Sequence, residues 1–381
     1  MLNLTIKQSE ALRDKSSAKR SLLYIITKSE LGGAQSHVRE LIEAFHKDYT
    51  IHLAVGQVGV LTESVAHLAL IHVLPALTRN ISLFNDSAAL VQCVSLIQKI
   101  QPSLIHTHSS KAGLIGRLAG QICGVPTLFT AHGWGFTPNT PKVRRAIALI
   151  AEKALARMTT RVVCVSEDDR QLALRKGVAT QQTLTTIRYG IPNQSVAIAD
   201  PSLNPPRLIM VARFNEQKDQ ATLLKAIALL KDESFSVDFV GSGESMADCQ
   251  SLADSLGLSN RVSFLGDRRD VSELLARSQV FVLSTHYEGL PISILEAMRS
   301  GLPVVATAVN GVPEEVVHGQ TGLVIPHEDV SALAEALRSM IGDPQMRAAM
   351  GRAGREKFLR EFTLETMTDQ LKKIYDQVAK Y

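Results

Sequence analysis
From Ser21 onward the chain alternates two patterns. Short apolar runs of strand length are followed by longer stretches in which apolar residues return every three or four positions, the period of a helix with one buried face. Strands are predicted at Ser21–Thr27, Thr50–Val55, Ile71–Leu74, Ser103–His106, Thr127–Thr130, Arg161–Val165 and Thr183–Ile187, with helices at Gln35–His46, Ala88–Ile100, Gly113–Ile122 and Lys142–Met158. The rhythm resumes with strands expected at Arg207–Ala212, Ser236–Val240, Arg261–Phe264, Val280–Leu283, Val304–Ala306 and Gly322–Ile325. From about Ser331 the pattern is helical, broken at Gly342-Asp343-Pro344 and Phe362-Thr363. This βαβ alternation predicts an α/β fold of two facing, doubly wound, Rossmann-like domains. The expected boundaries are a loose tail at 1–20, a first domain at 21–190, a linker at 191–206, a second domain at 207–362 and a final helix at 363–381. The linker carries Pro192, Pro201, Pro205 and Pro206 and has no periodicity.

Composition narrows the classes. With 45% hydrophobic and 20% charged residues in 381, two cores can be buried and general disorder is excluded. No apolar run approaches the roughly eighteen residues of a membrane span, and the first twenty residues lack the apolar core of a signal peptide. Cys93, Cys123, Cys164 and Cys249 lie far apart, as expected of buried, reduced thiols in a cytoplasmic protein. Charge is uneven: through Ser195 the chain has 22 Lys and Arg against 12 Asp and Glu, a balance of +10, and the remainder has 19 against 25, a balance of −6. The first half favours an anionic surface. No interleaved aromatic stripe or binding motif supports nucleic acid, so a membrane surface or a phosphorylated lipid is the expected partner.

In such folds ligands sit beyond the carboxyl ends of the strands, and the unusual residues lie there. After the strand ending at Leu283, Gly289-Leu290-Pro291 opens a helix, with Glu288 before it and Glu296 inside it. A helix start attracts phosphate and two carboxylates can bind hydroxyls, so the pair suits a sugar nucleotide; equally, Glu288 can cap the helix and Glu296 face water. After the strand near Arg207–Ala212 come Arg213 and Lys218, able to grip a diphosphate or to stand as surface charges. Gly32 and Gly33 follow the first strand without the GxGxxG pattern of a nicotinamide enzyme. His132-Gly133-Trp134-Gly135-Phe136 follows another strand; Trp134 can stack on a sugar or anchor the loop. His106-Thr107-His108 puts two rings on one face of a strand, but no third ligand lies near in sequence, so cleft lining by His108 is expected over zinc. Gly241 marks one more turn after a strand.

These segments together resemble the family-four retaining glycosyltransferases of GT-B fold. The likeness rests on EGLPISILEAMRSGLPVVAT, with seven residues between Glu288 and Glu296, and on Asn310-Gly311-Val312-Pro313-Glu314, where Asn310 stands for the first of two family glycines. Ala212 and Asp219 also replace residues that are glycine in many members. The resemblance implies that Arg213 and Lys218 hold the pyrophosphate, that Glu296 binds the ribose, and that His132 touches the donor hexose. It also implies that Gly32 and Gly33 meet donor phosphates and acceptor, and that Gly241 lies near the nucleotide. On this reading Arg213, Lys218, Glu288 and His132 are catalytic. Gly32, Gly33, His108, Trp134, Gly241, Gly289, Leu290, Pro291 and Glu296 bind substrate, no metal or cofactor is used, and the last helix crosses back to the first domain. The implied partners are a UDP-sugar and a lipid-linked or oligosaccharide acceptor at the inner membrane face, in capsule or O-antigen synthesis. A nucleotide-sugar 2-epimerase of the same fold and a non-catalytic binding scaffold are the alternatives.

The segment 141–161 reads as an amphipathic helix. Lys142, Arg145, Lys153 and Arg157 gather on one side, with Ile147, Ala151, Ala154, Leu155 and Met158 on the other. The basic side is expected to meet anionic lipid, or equally to face water on an ordinary surface helix that packs its apolar stripe on the sheet.

Overall fold
The computed structural model describes residues 19–379, apart from 31, 81, 138–139 and 194–196. The tail expected at 1–20 thus lies almost wholly outside the described residues. The chain divides into two compact units, one ending at Arg188 and resuming at Met367, the other Tyr189–Thr366.

The first unit holds β1 (Ser21–Ile26), β2 (Thr50–Val55), β3 (Leu70–Val73), β4 (Leu104–His108), β5 (Thr127–Ala131), β6 (Arg161–Cys164) and β7 (Leu184–Thr186). They form one parallel sheet in the order β3-β2-β1-β4-β5-β6-β7. Residues Leu22 to Ile26 of β1 are all buried, because helices cover both faces and leave no side for polar residues. Helix Ser110–Cys123 lies close on this sheet through its glycines: a Cβ at Gly116 would stand 2.4 Å from the Thr107 methyl, and one at Gly120 would stand 2.1 Å from the Thr127 hydroxyl.

The second unit holds β8 (Arg207–Val211), β9 (Ser236–Val240), β10 (Val262–Phe264), β11 (Val280–Leu283), β12 (Val304–Thr307) and β13 (Gly322–Ile325), in the order β10-β9-β8-β11-β12-β13. Strand order reverses between β1 and β4 in one sheet and between β8 and β11 in the other. At such switch points the loops diverge and leave a crevice at the carboxyl edge. Of the loops singled out in the sequence, those after β1, β8 and β11 lie at these points, while those carrying His132 and Gly241 follow β5 and β9.

The final helix, Leu364–Val378, buries Met367, Leu371 and Tyr375, and from Met367 it belongs to the first unit. The Tyr375 hydroxyl lies 3.1 Å from that of Tyr24 on β1 and 2.7 Å from Nδ1 of His106 on β4. Of the stretch expected as a linker, residues 197–206 pack with the second unit. The buried Arg347 guanidinium donates to the carbonyls of Pro201 (2.6 Å) and Leu203 (2.9 Å) and to Oδ1 of Asn204 (2.8 Å). Cys93, Cys164 and Cys249 are buried thiols, while Cys123 is only half-buried.

Two expectations are corrected. Trp134 is 5% exposed, so it is no platform for a sugar. Gly133, at φ 112°, turns the chain so that the indole stacks on Phe136 at 5.0 Å and donates to the Asp169 carbonyl at 2.9 Å. Helix Lys142–Ala156 is also rotated from its expected setting. Its inward face includes Glu152, which binds the fully buried Arg117 in a two-pronged pair at 2.8 and 3.1 Å. A buried guanidinium needs that carboxylate, and satisfying it turns apolar residues outward: Val143, Ile147 and Ile150 are 75%, 61% and 69% exposed. Lys142, Arg144, Lys153 and Arg157 are exposed among them.

Candidate active site
In the first unit the carboxyl edge gathers histidines. His108 ends β4 and His132 follows β5; their rings share a hydrogen bond of 3.1 Å between Nδ1 of His108 and Nε2 of His132. His37, one turn inside helix Gly33–Phe45, meets both rings edge-on at 5.6 and 5.4 Å. His106, two residues earlier on the same face of β4, uses both nitrogens, on Tyr375 and on the Thr130 hydroxyl (2.7 Å). That pairing, with the His108–His132 bond, accounts for the two rings once weighed as zinc ligands. Nε2 of His108 is buried without a hydrogen-bond partner. Gly32 precedes the first helix without a side-chain cap, leaving the opening amides of Gly33, Ala34 and Gln35 uncapped by it.

Burial dominates the titration of this cluster. It holds His106 and His132 down to about 3 and pushes His37 and His108 well below 6.5. A folded pKa below the unfolded one contributes stability above about pH 6.5, and that contribution is lost as the pH falls. Buried Glu315 works in the opposite sense, its carboxyl raised by burial and by Glu288, but with one proton against four. The unfolding free energy from urea titration should therefore be level near pH 7.5 and fall steadily below 6.5, by up to about 1.4 kcal/mol per pH unit for each net proton, with the midpoint falling in step. A midpoint equal at pH 7.5 and 5 would contradict neutral burial of these rings.

In the second unit, Arg213 follows β8 with an exposed side chain, and Lys218 closes the same loop. The Lys218 ammonium pairs with Oε1 of Glu288, which also accepts from the Thr285 hydroxyl at 2.8 Å; Oε2 accepts from Gln217 at 3.2 Å. Glu288 is thus a fixed carboxylate joining the loops after β8 and β11. Asn310 adopts φ 43°, the left-handed setting of the glycine it stands for, and its Oδ1 accepts from the Glu288 amide at 3.2 Å. Asp219, another departure, caps helix Gln220–Ala228 by accepting from the Thr222 amide at 3.0 Å. Gly289 and Leu290 lead to Pro291, which stands immediately before helix Ile292–Arg299, and Glu296 is half-buried within that helix. Gly241 has a spatial role: a Cβ there would stand 2.2 Å from the Ala212 carbonyl, so the loop after β9 can lie against the Arg213 loop only with glycine.

The structure therefore brings Arg213, Lys218, Glu288, Gly289, Leu290, Pro291, Glu296 and Gly241 to one sheet edge, and Gly32, Gly33, His108 and His132 to the other. It removes Trp134. Sequence reasoning missed Gln217, Thr285 and Asn310 as the partners of Glu288, and His37. His37 lies four residues past Gly33 but has no spacing relation to His108 or His132; only the fold joins them.

Two family models match the chain: glycosyl transferases group 1 over residues 195–357, and a glycosyl transferase 4-like domain over residues 32–190. The chain is 28% identical over 350 residues to UDP-Gal:alpha-D-GlcNAc-diphosphoundecaprenol alpha-1,3-galactosyltransferase of Escherichia coli, covering 87% of this chain and 89% of that protein. It is 30% identical over 304 residues to N-acetyl-alpha-D-glucosaminyl L-malate synthase of Bacillus anthracis, covering 77% and 80%. In fold it resembles the crystal structure of Anabaena HepE in complex with UDP-glucose, with a TM-score of 0.82 and 21% identity over 94% of this chain and all of that one.

Proposed function
The chain belongs to the group 1 glycosyltransferases, and on that premise we propose that it transfers a hexose or N-acetylhexosamine from a UDP-sugar, with retention, to a hydroxyl of a lipid-linked or oligosaccharide acceptor in bacterial surface polysaccharide synthesis. The observation that carries this reading is the β8/β11 switch point. There an exposed guanidinium, the fixed Lys218–Glu288 pair and a helix start converge, as a diphosphate leaving group requires. The E. coli relative, named for UDP-Gal and a diphosphoundecaprenol-linked sugar, supports the donor and acceptor classes.

In the proposed step the bond from the anomeric carbon to the β-phosphate oxygen breaks. The acceptor oxygen bonds to that carbon from the same face, and its proton passes to the departing phosphate. Arg213 and Lys218 stabilise the charge gathering on the diphosphate, Glu296 holds the ribose hydroxyls, and His132 and His108 line the hexose side. No protein-bound metal is assigned to this step, so activity should survive EDTA. Incubation with a panel of UDP-sugars and lipid-linked acceptors, read by mass spectrometry and by NMR of the new linkage, tests the whole reading. A retained anomer supports it. An inverted anomer, an isomerised sugar formed without acceptor, binding without turnover, or loss in EDTA restored by Mg²⁺ would each overturn part of it.

The outward face of helix Lys142–Ala156 is proposed to rest on anionic lipid at the inner face of the cytoplasmic membrane. No helix among the described residues is long and apolar enough to cross a membrane. Cations interleaved with exposed Val143, Ile147 and Ile150 form instead the face of an interfacial helix. Each cation near such a surface contributes on the order of 1 kcal/mol. Changing Lys142, Arg144, Lys153 and Arg157 to Gln should release the protein from anionic vesicles in flotation, and Ile147→Ser with Ile150→Ser should weaken it further. Equal flotation of parent and variants would leave this face without a lipid role.

A further inference from the structure
A second cluster lies outside the machinery assigned above. His286 follows β11 and His327 and Glu328 follow β13, strands that flank β12 on its two sides. Nδ1 of His286 lies 2.8 Å from Nε2 of His327 and 3.3 Å from Oε1 of Glu328, and the remaining edge, from His327 Nε2 to that oxygen, is 3.7 Å. We propose that His286, His327 and Glu328 form a binding site for a zinc-class divalent cation, beyond the glycosyl-transfer reaction itself.

The geometry fits. Zinc bonds to imidazole and carboxylate at roughly 2.0–2.1 Å, so in a tetrahedron neighbouring ligand atoms stand about 3.3 Å apart. The three edges scatter around that value, and a displacement of a few tenths of an ångström equalises them. The donor set also selects the metal class: two imidazoles and one carboxylate suit Zn²⁺, Co²⁺ or Ni²⁺, whereas Mg²⁺ and Ca²⁺ prefer all-oxygen sites. Three protein ligands leave a fourth position for water. The backbone on each side is already fixed. The His286 amide donates to the Gln217 carbonyl at 2.9 Å, and Asp329, next to Glu328, accepts from the Ala332 amide at 2.9 Å as the cap of helix Val330–Gly342. Glu328 holds a left-handed φ of 58°, an uncommon setting for a residue with a side chain. All three side chains reach solvent, so an ion can arrive without opening the fold. Once bound, it straps the loop after β13 to the loop that carries Glu288, two residues from His286.

The test is metal binding by the untagged full chain, stripped with chelator and titrated with Co²⁺ alone. A visible d–d band saturating at one equivalent and bleached by Zn²⁺ is expected. His327→Ala and Glu328→Gln should each weaken Co²⁺ at least tenfold. His52→Asn, which removes half of the separate His52–His72 pair (2.9 Å), should leave the band intact. Absence of a saturable band, or unchanged affinity in His327→Ala, would overturn the site and leave a hydrogen-bonded trio. The readout is spectroscopic, so it stands or falls apart from the sugar transfer.

Discussion
Arg213→Ala should lower turnover about 100- to 1,000-fold at saturating donor, the loss expected when one preorganised donor is removed from a developing charge. Arg213 is a cleaner probe than Lys218. The ammonium of Lys218 also holds Glu288, so its removal would free a carboxylate already bound by Thr285 and Gln217 and disturb both loops. The Arg213 side chain is exposed, and its backbone carbonyl, which accepts from Gln220 at 3.0 Å, survives the substitution. Arg213→Lys should recover only part of the rate, because an ammonium supplies a point charge without the two-pronged fork. A kcat within twofold of the parent in Arg213→Ala would remove this residue from the leaving group.

Glu296→Ala should weaken UDP binding about ten- to a hundredfold by calorimetry, the loss of charge-assisted hydrogen bonds of roughly 1.5–3 kcal/mol. The carboxylate is half-buried in helix Ile292–Arg299, five residues past Pro291, and the backbone beneath it is held by ordinary helical bonds. Truncation therefore costs little fold. Unchanged affinity would return Glu296 to the role of a solvated helix residue.

The strands were legible because helices cover both faces of each sheet and make most strand positions apolar. Thr50–Val55, Ser236–Val240, Val280–Leu283 and Gly322–Ile325 are found at their expected bounds. The Glu288–Glu296 spacing and the Arg213–Lys218 loop were legible because each lies within one short segment. What escaped has a common cause, which is pairing across the fold. Helix Lys142–Ala156 was set wrongly because hydrophobic periodicity places a glutamate outside, and only the structure brings Arg117, thirty-five residues away, to Glu152. Trp134 between two glycines can be read as a sugar platform or as an anchor, and one of those glycines is what folds it inward. The His286–His327 contact spans forty-one residues and exists because β11 and β13 flank one strand.

Tyr375 has a consequence for synthesis of the chain. It completes the core of the first unit from a position 351 residues beyond its partner Tyr24. At roughly 5–20 residues per second, some ten to forty seconds separate translation of Arg188 from that of Tyr375. Throughout that interval the nascent first domain carries a bare patch over Tyr24 and His106. Severing the chain at the boundary between units would make the patch permanent. A fragment of residues 1–188 should consequently be recovered less soluble than the same fragment co-expressed with the remainder, which delivers the missing helix in trans.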